Sequence, residues 1–278
     1  IELLEDGQPV YASHPGELSY DSGIELSQTW ADILLIDFEH HPFDTVGLTH
    51  FMKGLRDGGP TPSGHLTPTV ITTLPHNAIT REEVLYNAWQ ARHALTTGVH
   101  GILHTHARDP ESVKAFVATT RYVFQTIGRD IIPEGLRGGG GQRPANEIWG
   151  LDIAEYSKKA DPWPLNPEGE LLAIVLLETK SQVENIEELL ELPGLGAVMF
   201  GTADQSMSYG LGTPAPPANH PIIMANMERF ARACEAHHKG GGKVICGAYQ
   251  TPQGLEKAIE QGLSMFTSQR GNFSRDIR

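Results

Sequence analysis

The sequence predicts an α/β protein of the (β/α)8 barrel class. Three observations carry the prediction: eight short apolar segments recur along the 278 residues, amphipathic helical stretches separate them, and each apolar segment is mostly continuous rather than alternating in polarity. Continuous apolar strands imply burial on both faces, the condition of a parallel sheet covered by helices. A barrel of this kind takes about 250 residues as one domain, so residues 1–278 read as a single barrel domain. The competing arrangement is an open doubly wound sheet. Against it, no GxGxxG follows the first strand, and the glycine run at 138–141 falls in a long loop rather than at a strand-to-helix turn.

In chain order the strands are expected at 9–12, 31–36, 69–73, 101–105, 171–177, 197–201, 243–246 and 264–267, and the helices at about 44–56, 81–97, 111–126, 183–192, 224–239 and 253–261. Two helix starts are signalled directly. Thr80 with Glu83 reads as a capping box, and Pro110 after Asp109 reads as the first helical residue after its cap. The stretch 137–166, with Trp149, Tyr156 and Trp163, is long for a plain connection. Long loops in compact domains are usually lids or binding loops, so its aromatic residues are expected either to wall a substrate pocket or to pack against a neighbouring subunit. Little chain follows the eighth strand, and a full eighth helix is not expected.

Composition narrows the partners. The formal charge is −13 with no basic cluster, so a nucleic-acid backbone would be repelled. No run approaches the ~20 apolar residues of a membrane-spanning helix, and no membrane partner is expected. Cys234 and Cys246 lack zinc-site spacing, which favours a reducing, cytoplasmic setting; no basic and apolar leader precedes Val10. Thirteen histidines stand out, because imidazole is both a common metal ligand and the base best poised near neutral pH.

Three segments join strand ends to ionisable groups. In Asp37-Phe38-Glu39-His40-His41, an apolar strand turns abruptly into acids and imidazoles. A carboxylate close to a histidine can hold one ring nitrogen and leave the other as a base. The plainer reading is a polar strand end capping the next helix. The other two segments, 173–180 and 197–205, are apolar strands ending in Glu178 and Asp204. Their strands are consecutive, so in a barrel their ends are neighbours on the catalytic face. Two carboxylates converging there form an oxygen-rich site suited to Mg²⁺ or Mn²⁺. As separate features, Asp204 reads as a helix cap and Glu178 as an N-terminal helix charge.

Asp37-Phe38-Glu39-His40, Arg137-Gly138 with Arg143-Pro144-Ala145, Leu177-Glu178-Thr179 with Val183-Glu184-Asn185-Ile186, Pro193-Gly194, Gly201-Thr202-Ala203-Asp204-Gln205-Ser206 and His220-Pro221 occur in this order. Together they resemble the successive blocks of the HpcH/HpaI aldolases, class II pyruvate aldolases related to macrophomate synthase and citrate lyase β subunits. The resemblance runs from about residue 9 to 267. It implies a barrel of the phosphoenolpyruvate/pyruvate-domain type, assembled as a homohexamer or trimer of dimers. The implied activity is metal-dependent cleavage or formation of a 4-hydroxy-2-oxo acid, with pyruvate and an aldehyde as products. By resemblance, Glu178 and Asp204 hold the metal, Mg²⁺ or Mn²⁺ or else Co²⁺. His40 is the base, acting through a water, and Asp37 is its partner. Gly201, Thr202 and Ala203 receive the substrate carboxylate, and Glu39 joins them in lining the substrate.

One departure stands out. Family members carry an arginine on the third strand, where it binds the oxygen that becomes the enolate; here 69–75 reads TVITTLP. Losing such a cation costs on the order of 3–4 kcal/mol of transition-state stabilisation if nothing replaces it. The next strand end carries His104, His106 and Arg108. The expectation is that His104 helps shape a modified site and that an imidazolium or Arg108 reaches it; the plainer alternative packs His104 and leaves the other two solvated. The altered strands also keep open oxaloacetate decarboxylation, a lyase or hydratase acting on an aromatic oxo acid, and a non-catalytic barrel that binds a carboxylic acid.

Overall fold

In a computed structural model, which describes residues 1–212, 220–250 and 254–267, the chain begins with α1 (Glu2–Glu5), β1 (Val10–Ser13), α2 (Tyr20–Leu26) and β2 (Ile33–Ile36). It continues through α3 (Thr45–Asp57), β3 (Thr69–Thr72), α4 (Arg81–Thr96), β4 (Gly101–His104) and α5 (Pro110–Thr120). A long excursion then holds α6 (Ala145–Trp149), α7 (Ile153–Lys159) and the two-residue β5 (Pro162–Trp163). The second half comprises β6 (Leu171–Leu177), α8 (Lys180–Glu184), α9 (Ile186–Leu190), β7 (Ala197–Phe200) and α10 (Ala203–Ser208). It ends with α11 (Pro221–Lys239), β8 (Ile245–Tyr249), α12 (Leu255–Glu260) and β9 (Met265–Thr267).

All strand pairings in the sheet are parallel, and the β4–β6 ladder joins the two halves, so eight strands close into a (β/α)8 barrel. β5 stands outside the ring as an added edge on the start of β6, Pro162 opposite Leu171. Alternation along the strands divides the apolar residues into two packed layers. Ile33, Leu35, Leu103, Ile174, Leu176 and Met199 fill the barrel interior, while Leu34, Ile36, Ile102, Val175, Leu177 and Phe200 meet the surrounding helices. Each such side chain fully buried contributes roughly 1.5–3 kcal/mol, which is why the strands are apolar on both faces.

The eight expected barrel strands are present, β2 and β8 each starting two residues later than expected. The helix expected over 111–126 stops at Thr120. There the Thr119 and Thr120 hydroxyls donate back to the carbonyls of Phe116 and Val117, and Arg121 turns extended to meet buried Asp161 at 2.6 Å. The helix expected over 183–192 is broken at Asn185, whose side chain donates to the Ser181 carbonyl. The sequence reading missed α2, capped by Ser19 accepting from the Ser22 N–H. α2 lies so close to α3 that a Cβ on Gly54 would stand 2.1 Å from the Tyr20 carbonyl oxygen. Residue 253 of the last expected helix and the segment 268–278, where a full eighth helix was not expected, lie outside the described residues.

Cys234 on α11 and Cys246 on β8 form a disulfide. Disulfides persist mainly in oxidising surroundings, so this pairing counts against the reducing setting expected from the spacing alone. Among the described residues no helix is long and apolar enough to cross a membrane.

Candidate active site

Strand parity carries the acidic groups to one end of the barrel. On β2, Ile33 and Leu35 face the interior, and the same alternation brings Asp37 and Glu39 to the mouth. On β6, Leu172, Ile174 and Leu176 lead in the same way to Glu178; beyond β7 the chain turns at Gly201 and presents Asp204 in the first turn of α10. These residues line one cavity of about 530 Å³ together with His14, His40, Thr202, Ala203 and Tyr249.

On one wall, Asp37 and His40 form a pair. Asp37 Oδ2 is 2.9 Å from His40 Nδ1, while Asp37 Oδ1 accepts from the backbone N–H groups of Glu39 and His40 at 2.9 and 3.1 Å and from the Thr73 hydroxyl. Burial works to raise the Asp37 pKa, but the His40 contacts outweigh it and hold the carboxyl below its ordinary value. Burial likewise pulls His40 down, yet the bond to Asp37 and the charges of Asp37, Glu39 and Asp204 leave it raised. An exposed imidazole fixed at Nδ1 and open on its other side has the form of a general base.

In the same lining, Glu178 is 1 % exposed. Burial pushes its pKa up to about 8 against the pull of His106. The His106 backbone N–H donates to Glu178 Oε1 at 2.5 Å, and the ring follows it: Nδ1 lies 3.4 Å from the same oxygen and Nε2 lies 3.0 Å from Glu39 Oε1. The Glu39 hydrogen bond raises His106 to about 9, burial opposing it and the Glu178, Glu39 and Asp204 charges adding to it. His106, Glu178 and Asp204 each offer a donor atom within 4.8 Å of the others. The donor set fits a divalent cation, which would neutralise carboxylates otherwise crowded into a partly buried site.

The candidates at the fourth strand need correction. Leu103 faces the barrel interior, so His104 faces the helices, not the mouth. It is buried between His76, whose Nε2 is 3.1 Å from its own Nε2, and the edge of Phe116. Arg108 is exposed and outside the cavity wall. His106 is the residue that reaches the site, and among the described residues it is the one non-glycine with positive φ, 57°. That turn reverses the strand parity, and nothing in the sequence announced it. His14 and Tyr249 were also missed, although alternation from Val10 and Ala12, and from Ile245, leads to them.

The excursion at 137–166 is not a wall of the cavity. Trp149 stacks on His100 and donates to the Gly98 carbonyl ahead of β4, and Trp163 donates to Glu5 ahead of β1. Tyr156 is buried and accepts from Arg137 at 3.0 Å. The excursion therefore fastens the N-terminal ends of strands, opposite the mouth.

No protein-family model matches the chain. It is 26% identical over 211 residues to a hydroxypyruvate/pyruvate aldolase of Sagittula stellata, covering 76% of this chain and 68% of that protein. It is 26% identical over 231 residues to a 2-keto-3-deoxy-L-rhamnonate aldolase of Klebsiella pneumoniae, covering 83% and 70%. Its fold matches the crystal structure of an HpcH/HpaI aldolase/citrate lyase family protein from Burkholderia cenocepacia with a TM-score of 0.73 and 21% identity, over 96% of this chain and 90% of that one. Sequence relatives and structural neighbours thus converge, and the chain is a lyase related to the HpcH/HpaI aldolases.

Proposed function

We propose that this lyase cleaves, and in reverse forms, a 4-hydroxy-2-oxo acid, with pyruvate and an aldehyde as the products. The observation that carries the reading is that one cavity holds both a carboxylate-oriented histidine, Asp37–His40, and a separate pair of metal-suited carboxylates, Glu178 and Asp204. The names of the two curated relatives, each an aldolase, agree with an aldol reaction.

Glu178 and Asp204 are the residues that would hold the divalent ion, Mg²⁺ or Mn²⁺ or else Co²⁺. Such an ion supplies a Lewis acid that polarises the 2-oxo group and stabilises charge developing on its oxygen. The protein groups do the rest. Asp37 fixes Nδ1 of His40 and so leaves Nε2 as the basic atom. That nitrogen takes the proton of the substrate 4-hydroxyl as the C3–C4 bond breaks, the electron pair of that bond passes to the enolate, and protonation at C3 completes pyruvate; synthesis runs the same transfers in reverse. The turn Gly201, Thr202 and Ala203 receives the substrate carboxylate, and Glu39 lines the cavity beside it. The working unit is a homo-oligomer, a hexamer on the family pattern, which light scattering tests directly.

The deciding experiment couples pyruvate release from 4-hydroxy-2-oxo acids to lactate dehydrogenase, with Mg²⁺ or Mn²⁺ and then with EDTA. Metal-replete protein is expected to release pyruvate and EDTA to stop it. Neither pyruvate release nor exchange of the C3 protons of pyruvate in D₂O would falsify the reading. Oxaloacetate serves as a parallel substrate, since its decarboxylation passes through the same enolate.

A further inference from the structure

We propose that His106 is a third protein ligand of the metal held by Glu178 and Asp204, with Glu39 fixing its ring, and that the site therefore binds Mn²⁺, Fe²⁺, Co²⁺ or Zn²⁺ in preference to Mg²⁺. The proposal rests on the metal reading above and goes beyond it, because two carboxylates alone give the hard oxygen site that Mg²⁺ accepts.

Three observations point the same way. The first is conformational: His106 has φ 57°. A side chain bearing a Cβ is disfavoured there, and strain of this kind persists only where surrounding contacts hold it, commonly at functional sites. The contact that holds it is the His106 N–H on Glu178 Oε1, so the same turn that strains the backbone delivers the ring to the buried carboxylate.

The second is the spacing of donors. His106 Nδ1 stands 3.4 Å from Glu178 Oε1, longer than a good hydrogen bond, and Asp204 completes a group whose donor atoms lie within 4.8 Å of one another. Two adjacent ligands of one ion, each bound at about 2.1 Å, stand about 3 Å apart. The three side chains come from three different strand ends, β4, β6 and β7, and so approach a shared point from separate directions.

The third lies behind the ring. His106 Nε2 is 3.0 Å from Glu39 Oε1. A histidine that binds a metal through one nitrogen ordinarily gives the other N–H to a carboxylate, which sets tautomer and orientation. Glu39 stands where that carboxylate belongs, and this gives it a task distinct from touching substrate. One imidazole with two carboxylates is a donor set that favours first-row transition ions over Mg²⁺.

The test uses protein stripped by a chelator and reloaded with MnCl₂. Pulsed EPR of the Mn²⁺-loaded wild type is expected to show coupling to a ¹⁴N nucleus, changed to ¹⁵N on ¹⁵N-histidine labelling and lost in His106→Gly. Glycine is chosen because it adopts positive φ without strain. Mn²⁺ affinity by titration is expected to fall at least about tenfold in His106→Gly and at least about tenfold in Glu39→Gln, and the Mn²⁺ preference over Mg²⁺ to shrink in both. Circular dichroism checks that each variant folds; should His106→Gly fail, the wild-type ¹⁴N coupling and the Glu39→Gln affinity decide. Absence of ¹⁴N coupling in the wild type, or unchanged affinity in both variants, overturns the inference. Glu178→Gln and Asp204→Asn separate the two levels. If they abolish Mn²⁺ binding while His106→Gly leaves the affinity unchanged, only the third ligand falls; if they bind Mn²⁺ as tightly as wild type, the metal reading itself falls.

Discussion

The Thr73 hydroxyl donates to Asp37 Oδ1 at 3.2 Å while accepting from the backbone N–H groups of Phe38 and Glu39 at 2.7 and 2.9 Å. One side chain at the end of β3 thus fastens the whole turn that carries Asp37, Glu39 and His40. Thr73→Val keeps the shape and removes the oxygen, taking the acceptor from the Phe38 N–H and one donor from Asp37 Oδ1, while the Glu39 N–H keeps only Asp37 Oδ1. The expected result is a loss of about 1–3 kcal/mol in stability together with a fall in kcat of roughly tenfold and little change in KM. An unaltered kcat would mean that the turn holds its geometry without the hydroxyl.

On the proposed mechanism, Asp37 and His40 set the acid limb of the pH profile. His40 must be unprotonated to act as a base, and its pKa is raised above 6.5 because the Asp37 contact and neighbouring acids outweigh burial. Activity should therefore rise with pH through a midpoint above 6.5 in the native protein. Asp37→Asn removes the charge that holds the proton, so the midpoint moves down, and kcat drops by about 10²–10⁴ as the imidazole loses its orientation. The profile of pyruvate release against pH, measured for both proteins, checks the direction; an unmoved midpoint contradicts the coupling.

His104 belongs to the core, and its effects should appear in stability. It is 1 % exposed, its Nδ1 finds no partner among the described residues, and burial drives its pKa well below 6.5. The unfolded chain then binds a proton that the folded chain refuses. Stability from this group is full above pH 6.5 and is lost as the pH falls below it. His104→Leu keeps much of the packing volume and is expected to flatten that acid dependence in urea unfolding between pH 7 and 5, with kcat/KM altered less than threefold. A collapse of turnover in a stably folded His104→Leu protein would return the residue to the site.

The Cys234–Cys246 link closes a loop of 12 residues between α11 and β8. Cross-linking a loop of about this size stabilises by about 3 kcal/mol in the chain-entropy account. Reductant, or Cys234→Ser, should lower the urea midpoint accordingly. Equal midpoints with and without reductant would indicate that the thiols are unpaired in solution.

Much of this architecture could be read from the residues, for identifiable reasons. Continuous apolar runs such as Leu171–Leu177 mark strands buried on both sides, and a carboxylate just beyond such a run, as at Glu178, has nowhere to go but the mouth. Parity extends that logic: Asp37 follows Leu35, and the same reasoning applied to Leu103 turns His104 away from the site. His106 obeys a different cause. Its placement depends on a left-handed backbone that only the neighbouring Glu178 contact explains, and a contact across 72 residues leaves no local pattern. The C-terminal end of the helix over 110–120 likewise depends on a distant partner, Asp161. Local pattern decides which segments are strands; long-range polar contacts decide where chains turn.

The excursion fastened at Gly98 and Glu5 has a consequence for how such a molecule diversifies. Its aromatic anchors and the Arg121–Asp161 pair secure the barrel away from the mouth, and Trp149 and Trp163 lie outside the cavity lining. Loops around the mouth are thereby released from most of the duty of keeping the barrel closed. Insertions or exchanges there should alter which substrate is accepted at small cost in folding, which makes the mouth the interchangeable part of this protein and the excursion its foundation.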